Sequence, residues 1–134
     1  SGTLTSIDDE MEHTSIARLA MADAEIAQSR YRFITNSVMD VMTKLTDRAY
    51  DLVVYRHNPE DLSFAISEAH RILRSGGDFV IDNFFGGSKV HDHAQRDPKT
   101  IALREAGKMI KADTDSWVTS LIPTGDGLLL ATKL

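Results

Sequence analysis

The stretch Tyr50-Asp51-Leu52-Val53-Val54-Tyr55-Arg56-His57-Asn58-Pro59-Glu60-Asp61-Leu62 decides the class of the fold. Its first six residues form a nearly continuous apolar run, the pattern of a strand buried on both faces of a parallel sheet. The predicted strand ends abruptly at Arg56-His57. A helix then opens with Asn58 as its cap, Pro59 in the first helical position, and Glu60 and Asp61 placed to favour the helix dipole. Leu62, Ala65, Ile66, Ala69 and Leu73 recur at helical spacing as a buried stripe, and Ser75-Gly76-Gly77 is the predicted stop. A buried strand leading directly into an amphipathic helix is the repeating unit of an α/β sheet.

The same alternation extends in both directions. Toward the N-terminus, residues 3–7 read as a short strand, followed by a helix in which Ile16, Leu19 and Ala20 repeat at helical spacing. Asp9 with Glu12 suggests a capping box at its start. Residues 31–35 form a second strand by their aromatic and β-branched content, and residues 38–45 a short helix with Val38, Val41, Met42 and Leu45 on one face. Toward the C-terminus, residues 79–81 give a further strand, and 82–95 a loop rich in Gly and His whose length suggests function. Asp97-Pro98 opens another helix, with Ile101, Ala102, Met109 and Ile110 predicted inward. Residues 116–122 and 128–132 close the chain as two strands, and the Asp126-Gly127 step between them predicts an antiparallel hairpin. With no repeat and no linker, the reading is one domain over residues 1–134, mostly parallel with an antiparallel C-terminal hairpin.

Composition narrows the function classes. The 134 residues are 42% apolar and 26% charged, ordinary for a soluble domain with a real core. A net charge of −5, from acids scattered along every segment, leaves no basic patch for nucleic acid. Absence of cysteine excludes disulfides and thiolate metal sites. The apolar runs are too short for a bilayer span and the N-terminus lacks a signal pattern, so a soluble, cytoplasmic protein with no membrane partner is expected.

In open α/β sheets, ligands bind beyond the carboxyl ends of the strands, which directs attention to Asp8, Asn36-Ser37, Arg56-His57 and Asp82-Asn83. An acid directly after a strand can accept both hydroxyls of a ribose, and Asp8 stands where that would happen. The alternative is that Asp8 or Asp9 only caps the helix that follows.

Six segments, in order and in register, resemble the bacterial catechol O-methyltransferase-like family, a class I S-adenosylmethionine-dependent group. They are Leu4-Thr5-Ser6-Ile7-Asp8, Tyr50-Asp51-Leu52-Val53-Val54, Leu73-Arg74-Ser75-Gly76-Gly77, Asp82-Asn83, Gln95-Arg96-Asp97-Pro98 and Pro123-Thr124-Gly125-Asp126-Gly127-Leu128. The resemblance implies a Rossmann-like methyltransferase sheet whose last strand is reversed. It implies S-adenosylmethionine as cofactor, with Asp8 on its ribose, Ser37 and Val38 beside the adenine, and Arg56 also at the cofactor. It implies a small-molecule hydroxyl acceptor and a homodimer. The family begins with a strand and a glycine-rich loop that precede the segment matching residues 3–8. The expectation is therefore a domain truncated at its N-terminus, half of its cofactor site missing, with the strand ending at Asp8 and the strand ending at Tyr55 lacking a shared neighbour. Such a fragment is expected to be inactive alone.

The family's divalent-cation site uses an aspartate where this chain has Arg56, paired with the later Asp-Asn. A guanidinium about 4 Å from a dication is repelled by roughly 8 kcal/mol at an effective dielectric near 20, so no metal is expected. A lysine three positions later in the family is Pro59 here. His57 is the candidate general base, of the kind an imidazole provides, and its alternative is a polar residue at a helix start. Asp82 is a second catalytic candidate, or else the partner of Arg56 in an ion pair. Asn83, Phe84 and Phe85 are candidates for the acceptor, the aromatic rings as walls and Gly86-Gly87 as the hinge of a lid; their alternative is core packing before a flexible loop. His91-Asp92-His93 has too few neighbouring ligands for a metal site. Trp117 reads as core or interface. Two functions follow: metal-independent O-methyl transfer, or a catalytically inactive methyltransferase-fold module serving dimerisation or ligand binding.

Overall fold

A computed structural model describes residues 2–134. The elements are β1 (Leu4–Asp8), α1 (Met11–Asp23), β2 (Tyr31–Thr35), α2 (Val38–Lys44), β3 (Tyr50–Tyr55), α3 (Leu62–Ile72), β4 (Leu73–Ile81), α4 (Pro98–Ala112), β5 (Trp117–Ile122) and β6 (Leu128–Lys133). They fall into two compact units that divide between Lys44 and Leu45.

In the first unit β1 and β2 pair in parallel, from Leu4 opposite Tyr31 to Asp8 opposite Thr35. The start of α1 differs from the predicted capping box. Glu10 is the cap residue and its side chain makes no capping bond; instead the Asp8 carboxylate accepts the Glu10 N–H at 2.8 Å, an Asx turn that leads the chain into the helix. Ile16 and Leu19 are 59% and 67% exposed, so helical spacing alone did not mark a buried face. What ties α1 to β2 is polar. The Thr35 hydroxyl donates to the buried Thr14 hydroxyl at 2.9 Å. Arg18 donates to the Phe33 carbonyl at 3.0 Å, its guanidinium 5.6 Å from the Phe33 ring centre.

The second unit is a four-stranded sheet in the order β3-β4-β6-β5. β3 and β4 are parallel, while β6 runs antiparallel to both β4 and β5, which gives the expected C-terminal hairpin. Phe79 and Ile81 of β4, Leu129 and Ala131 of β6, Tyr55 and Trp117 are all buried on the face covered by α3 and α4. Each such apolar side chain contributes roughly 1.5–3 kcal/mol on burial. The other face departs from the expectation of a strand buried on both sides: Leu52 and Val54 of β3 are 55% and 59% exposed, because both helices of this unit lie on the opposite side. Among the described strands, β1 pairs only with β2 and β3 only with β4.

One boundary and one helix face differ further from the sequence reading. Helix α3 ends at Ile72, and Leu73 is already extended at φ −75°, ψ 140°, so Ser75-Gly76-Gly77 lies inside β4 and not at a helix stop. The stretch forms an irregularity in the pairing with β3 between Tyr50 and Leu52. There the backbones come so close that a Cβ on Gly77 would sit 2.9 Å from the Arg74 carbonyl and 3.1 Å from that of Asp51. The end of α3 is closed from a distant strand: the Lys133 ammonium, on a residue only 8% exposed, donates to the carbonyls of His70 at 2.6 Å and Leu73 at 2.8 Å. In α4 the buried stripe is Thr100, Leu103, Ala106 and Ile110. Of the residues predicted inward, Ile110 is buried, but Ile101 and Met109 are each 42% exposed. The true stripe starts at Thr100, whose hydroxyl is satisfied by the capping Asp97 at 2.8 Å and can therefore be buried.

Candidate functional site

The carboxyl ends of the parallel strands carry the residues singled out in the sequence, in both units. At the end of β1, the Asp8 carboxylate accepts from the Glu10 N–H and lies 3.1 Å from His13 Nδ1. This fixes the side chain at the rim of the strand pair, where Asn36 N–H donates to the Asp8 carbonyl at 3.1 Å. The Asp8 side chain is 36% exposed. Beside it, Ser37 follows the end of β2, its N–H held by the Asn36 side chain at 2.7 Å and its hydroxyl accepting from Asp40 N–H at 3.4 Å. Val38 opens α2 and is 9% exposed, an apolar surface at the foot of the same rim.

In the second unit, Asp82 N–H donates to the Tyr55 carbonyl at 3.1 Å, so the segments that leave β3 and β4 emerge side by side. They open into a cavity of about 300 Å³ that Arg56, His57, Asp82 and Asn83 all line. Arg56 Nε lies 3.2 Å from the Asp82 carboxylate, forming the ion pair that was one reading of Arg56; with the Arg56 side chain 73% exposed, its stabilisation is small. Asp82 also accepts the Asn83 N–H at 2.8 Å, and Asn83 adopts the left-handed region at φ 53°, which asparagine tolerates better than most residues. His57 packs edge-on to Tyr55 at 6.3 Å. The Tyr55 hydroxyl donates to the Asn58 carbonyl at 2.7 Å and braces this turn. Burial, assisted by the Asp61 carboxylate, pushes the Tyr55 phenol far above its ordinary range, so it serves as a neutral hydrogen-bond donor and not as a base.

Phe84 and Phe85 do not line the cavity. Phe84 is 8% exposed with its ring against Gly107 of α4, and Phe85 lies over Gly127 and 4.5 Å from the His91 ring. Packing is thus the role the geometry gives both rings. The loop they begin is fastened at many points. Phe84 and Phe85 N–H groups donate to the Gly127 and Asp126 carbonyls, and Gly87 N–H donates to the Asp126 carboxylate at 2.8 Å. Arg104 of α4 donates to the carbonyls of Val90 at 3.1 Å, Gln95 at 2.6 Å, Lys89 at 3.0 Å and Asp92. This is a sewn loop, unlike the hinged lid the two glycines suggested. Asp92, within the His91-Asp92-His93 cluster, is held below the usual carboxylate range by the Ala94 N–H and the Gln95 side chain, and shapes the turn. Among the described residues no group of three or more His, Cys, Asp or Glu is arranged to hold a metal ion.

Lys89, Lys99, Thr100 and Leu103 also line the cavity and were not singled out in the sequence. The available signal was Lys99, a cation in the first turn of a helix, where the dipole disfavours it.

Comparison with known proteins gives the family and the fold. The family model for O-methyltransferases matches residues 1–134. A Mycobacterium tuberculosis (strain ATCC 25618 / H37Rv) protein named as a probable O-methyltransferase is 41% identical over 132 residues, which are 98% of this chain and 58% of that protein. A crystal structure of a Corynebacterium glutamicum protein superposes with a TM-score of 0.90 at 33% identity, over 98% of this chain and 60% of that one. The O-methyltransferase TomG from Streptomyces achromogenes, solved in complex with SAM, shares the fold at a TM-score of 0.82 and 23% identity, over 98% of this chain and 62% of that one. The chain thus spans about three-fifths of the length of these relatives. No helix among the described residues is long and apolar enough to cross a membrane. The chain belongs to the O-methyltransferase family, with the Rossmann-like methyltransferase fold.

Proposed function

We propose that these residues form the ribose-binding and acceptor-binding parts of an S-adenosylmethionine-dependent O-methyltransferase that acts on a hydroxyl of a small molecule. The observation that carries the reading is the cavity at the carboxyl ends of β3 and β4, where an imidazole and a carboxylate from two adjacent strands face the same space. When bound, S-adenosylmethionine supplies a methyl group on a sulfonium, and the pair of electrons of the broken S–CH3 bond stays on sulfur. The chain's own groups fit that cofactor: Asp8 presents a carboxylate fixed by backbone and imidazole at a strand end, suited to a diol, beside the Ser37-Val38 edge. Arg56 reaches the same strand ends as Asp82 and is proposed to border the cofactor.

His57 is proposed to take the proton from the acceptor hydroxyl as its oxygen forms the new bond to the methyl carbon, with Asn83 holding the acceptor. Asp82 orients Arg56 and completes the polar wall. The donors do not fit a divalent cation, since a guanidinium lies 3.2 Å from the carboxylate that would have to bind it. We place the protein in the cytoplasm as a homodimer, with residues 1–134 alone inactive. The test is calorimetric titration of the gene product containing residues 1–134 with S-adenosylhomocysteine. Binding that Asp8→Ala abolishes in a folded protein supports the reading; a folded protein that binds nothing points to a module that has kept the fold and lost the cofactor.

A further inference from the structure

We infer that the acceptor carries an anionic group, a carboxylate or phosphate ester, held by Lys89 and Lys99 across the mouth of the cavity. The inference rests on the proposed function and adds the chemical class of its substrate. Three cations line the cavity, Arg56, Lys89 and Lys99, together with two carboxylates, Asp82 and Asp97. Both carboxylates are already engaged: Asp82 with Arg56 and the Asn83 N–H, and Asp97 with the Thr100 N–H at 3.1 Å and hydroxyl at 2.8 Å. Among the described residues neither the Lys89 nor the Lys99 ammonium forms an ion pair within 4.0 Å; the Lys89 charge acts on Asp97 from farther away, and with three cations to two carboxylates the lining keeps a positive charge for a ligand.

The placement of Lys99 works against local stability. The first turn of α4 has no acid within it and carries Lys99, a cation at the positive end of a helix of 15 residues. Asp97 caps this end, but its carboxylate is taken up by the Thr100 N–H and hydroxyl, and a cation set against the dipole is expected where a ligand provides a partner. Arg104 grips the carbonyl of Lys89 at 3.0 Å and so holds the backbone of this exposed lysine beside the cavity. In a chain of net charge −5, these lysines concentrate positive potential at one opening.

The test is a nuclear magnetic resonance titration of residues 1–134 with three probes: 4-hydroxybenzoate, 4-hydroxyphenyl phosphate and the neutral 4-hydroxybenzamide. The expected result is binding of at least one anion about tenfold tighter than the amide, with shifts at Lys89, Lys99 and Asn83 and a loss of preference in high salt. Which of the two anions binds tighter separates a carboxylate acceptor from a phosphate one. The double variant Lys89→Gln/Lys99→Gln should bring the anion down to the affinity of the amide, while the amide's own binding stays unchanged. Equal affinity for anion and amide, an equal loss of both in the variant, or no anion binding at all overturns the inference. Cofactor binding by the gene product containing residues 1–134 without anion preference would leave the proposed function standing, and anion preference with no methyl transfer by that gene product would do the reverse.

Discussion

Arg104→Ala should loosen one loop and little else. Its guanidinium makes four hydrogen bonds to carbonyls between Lys89 and Gln95. The two from Nη2 are exposed, and water will replace them at little cost. The two from Nε and Nη1 are part-buried charged donors; each contributes about 1–1.5 kcal/mol once partial access of water is allowed for. Local stability of the loop should therefore fall by about 2–3 kcal/mol, which is roughly a 30-fold to 150-fold loss of hydrogen-exchange protection. The amides to watch are Val90, bonded to the Phe85 carbonyl at 3.1 Å, and Gln95, bonded to that of Asp92 at 3.0 Å. Amides of β6 should exchange as before. Protection at Val90 and Gln95 that changes less than threefold, or a loss spread evenly over the sheet, would refute the idea that Arg104 fastens this loop.

Lys133→Met removes both donors from the α3–β4 junction; with the ammonium's own desolvation recovered, the net loss should be about 2–4 kcal/mol, seen as a melting point lower by roughly 10 °C. A melting point unchanged to within 2 °C, on the order of half a kcal/mol, contradicts it. Burial, and then the charge of Lys133, lower the pKa of His70 below its ordinary 6.5. Because the unfolded chain takes up that proton first, stability should be intact above pH 6.5 and fall as the pH drops below it toward the folded pKa. His70→Phe, which keeps an aromatic edge toward Trp117, should flatten this part of the pH–stability curve; an unchanged slope counts against it. Gly127 sits at φ 82° with the Phe85 ring 2.7 Å from where a Cβ would be, so Gly127→Ala should cost about 2–4 kcal/mol. Gly125→Ala, at φ 55° with open space around it, should cost only about 1 kcal/mol, and equal melting points for the two would deny the ring contact its part.

Much of the architecture was legible because it rests on local signals. Asp97-Pro98 starts α4 as read, while Asn58-Pro59 opens a 3-10 turn over Pro59–Asp61 that leads into α3 at Leu62; the Asn58 and Asp97 side chains each accept a backbone N–H. Asp126-Gly127 closes the predicted hairpin. What could not be read depends on distant partners. The end of α3 is set by Lys133, some sixty residues away in sequence. The inward face of α4 is set by which residues meet Phe84 and by the satisfied hydroxyl of Thr100, a polar residue that apolar periodicity passes over. Arg56 and Asp82 were legible as a pair because each follows a strand and adjacent parallel strands end together. The lysines of the cavity were not, since Lys89 reaches it only through the folding of a loop whose path Arg104 dictates.

The central claim is that a methyl group passes to an acceptor oxygen next to His57. Its most direct test is to incubate the gene product containing residues 1–134 with S-adenosylmethionine labelled in the methyl group and with hydroxylated aromatic acids. Label on the oxygen of an acceptor, formed at a rate that His57→Gln lowers by about 100-fold while cofactor binding persists, is the predicted result. Tight cofactor binding with no label transferred to any oxygen, or a rate untouched by His57→Gln, would contradict it.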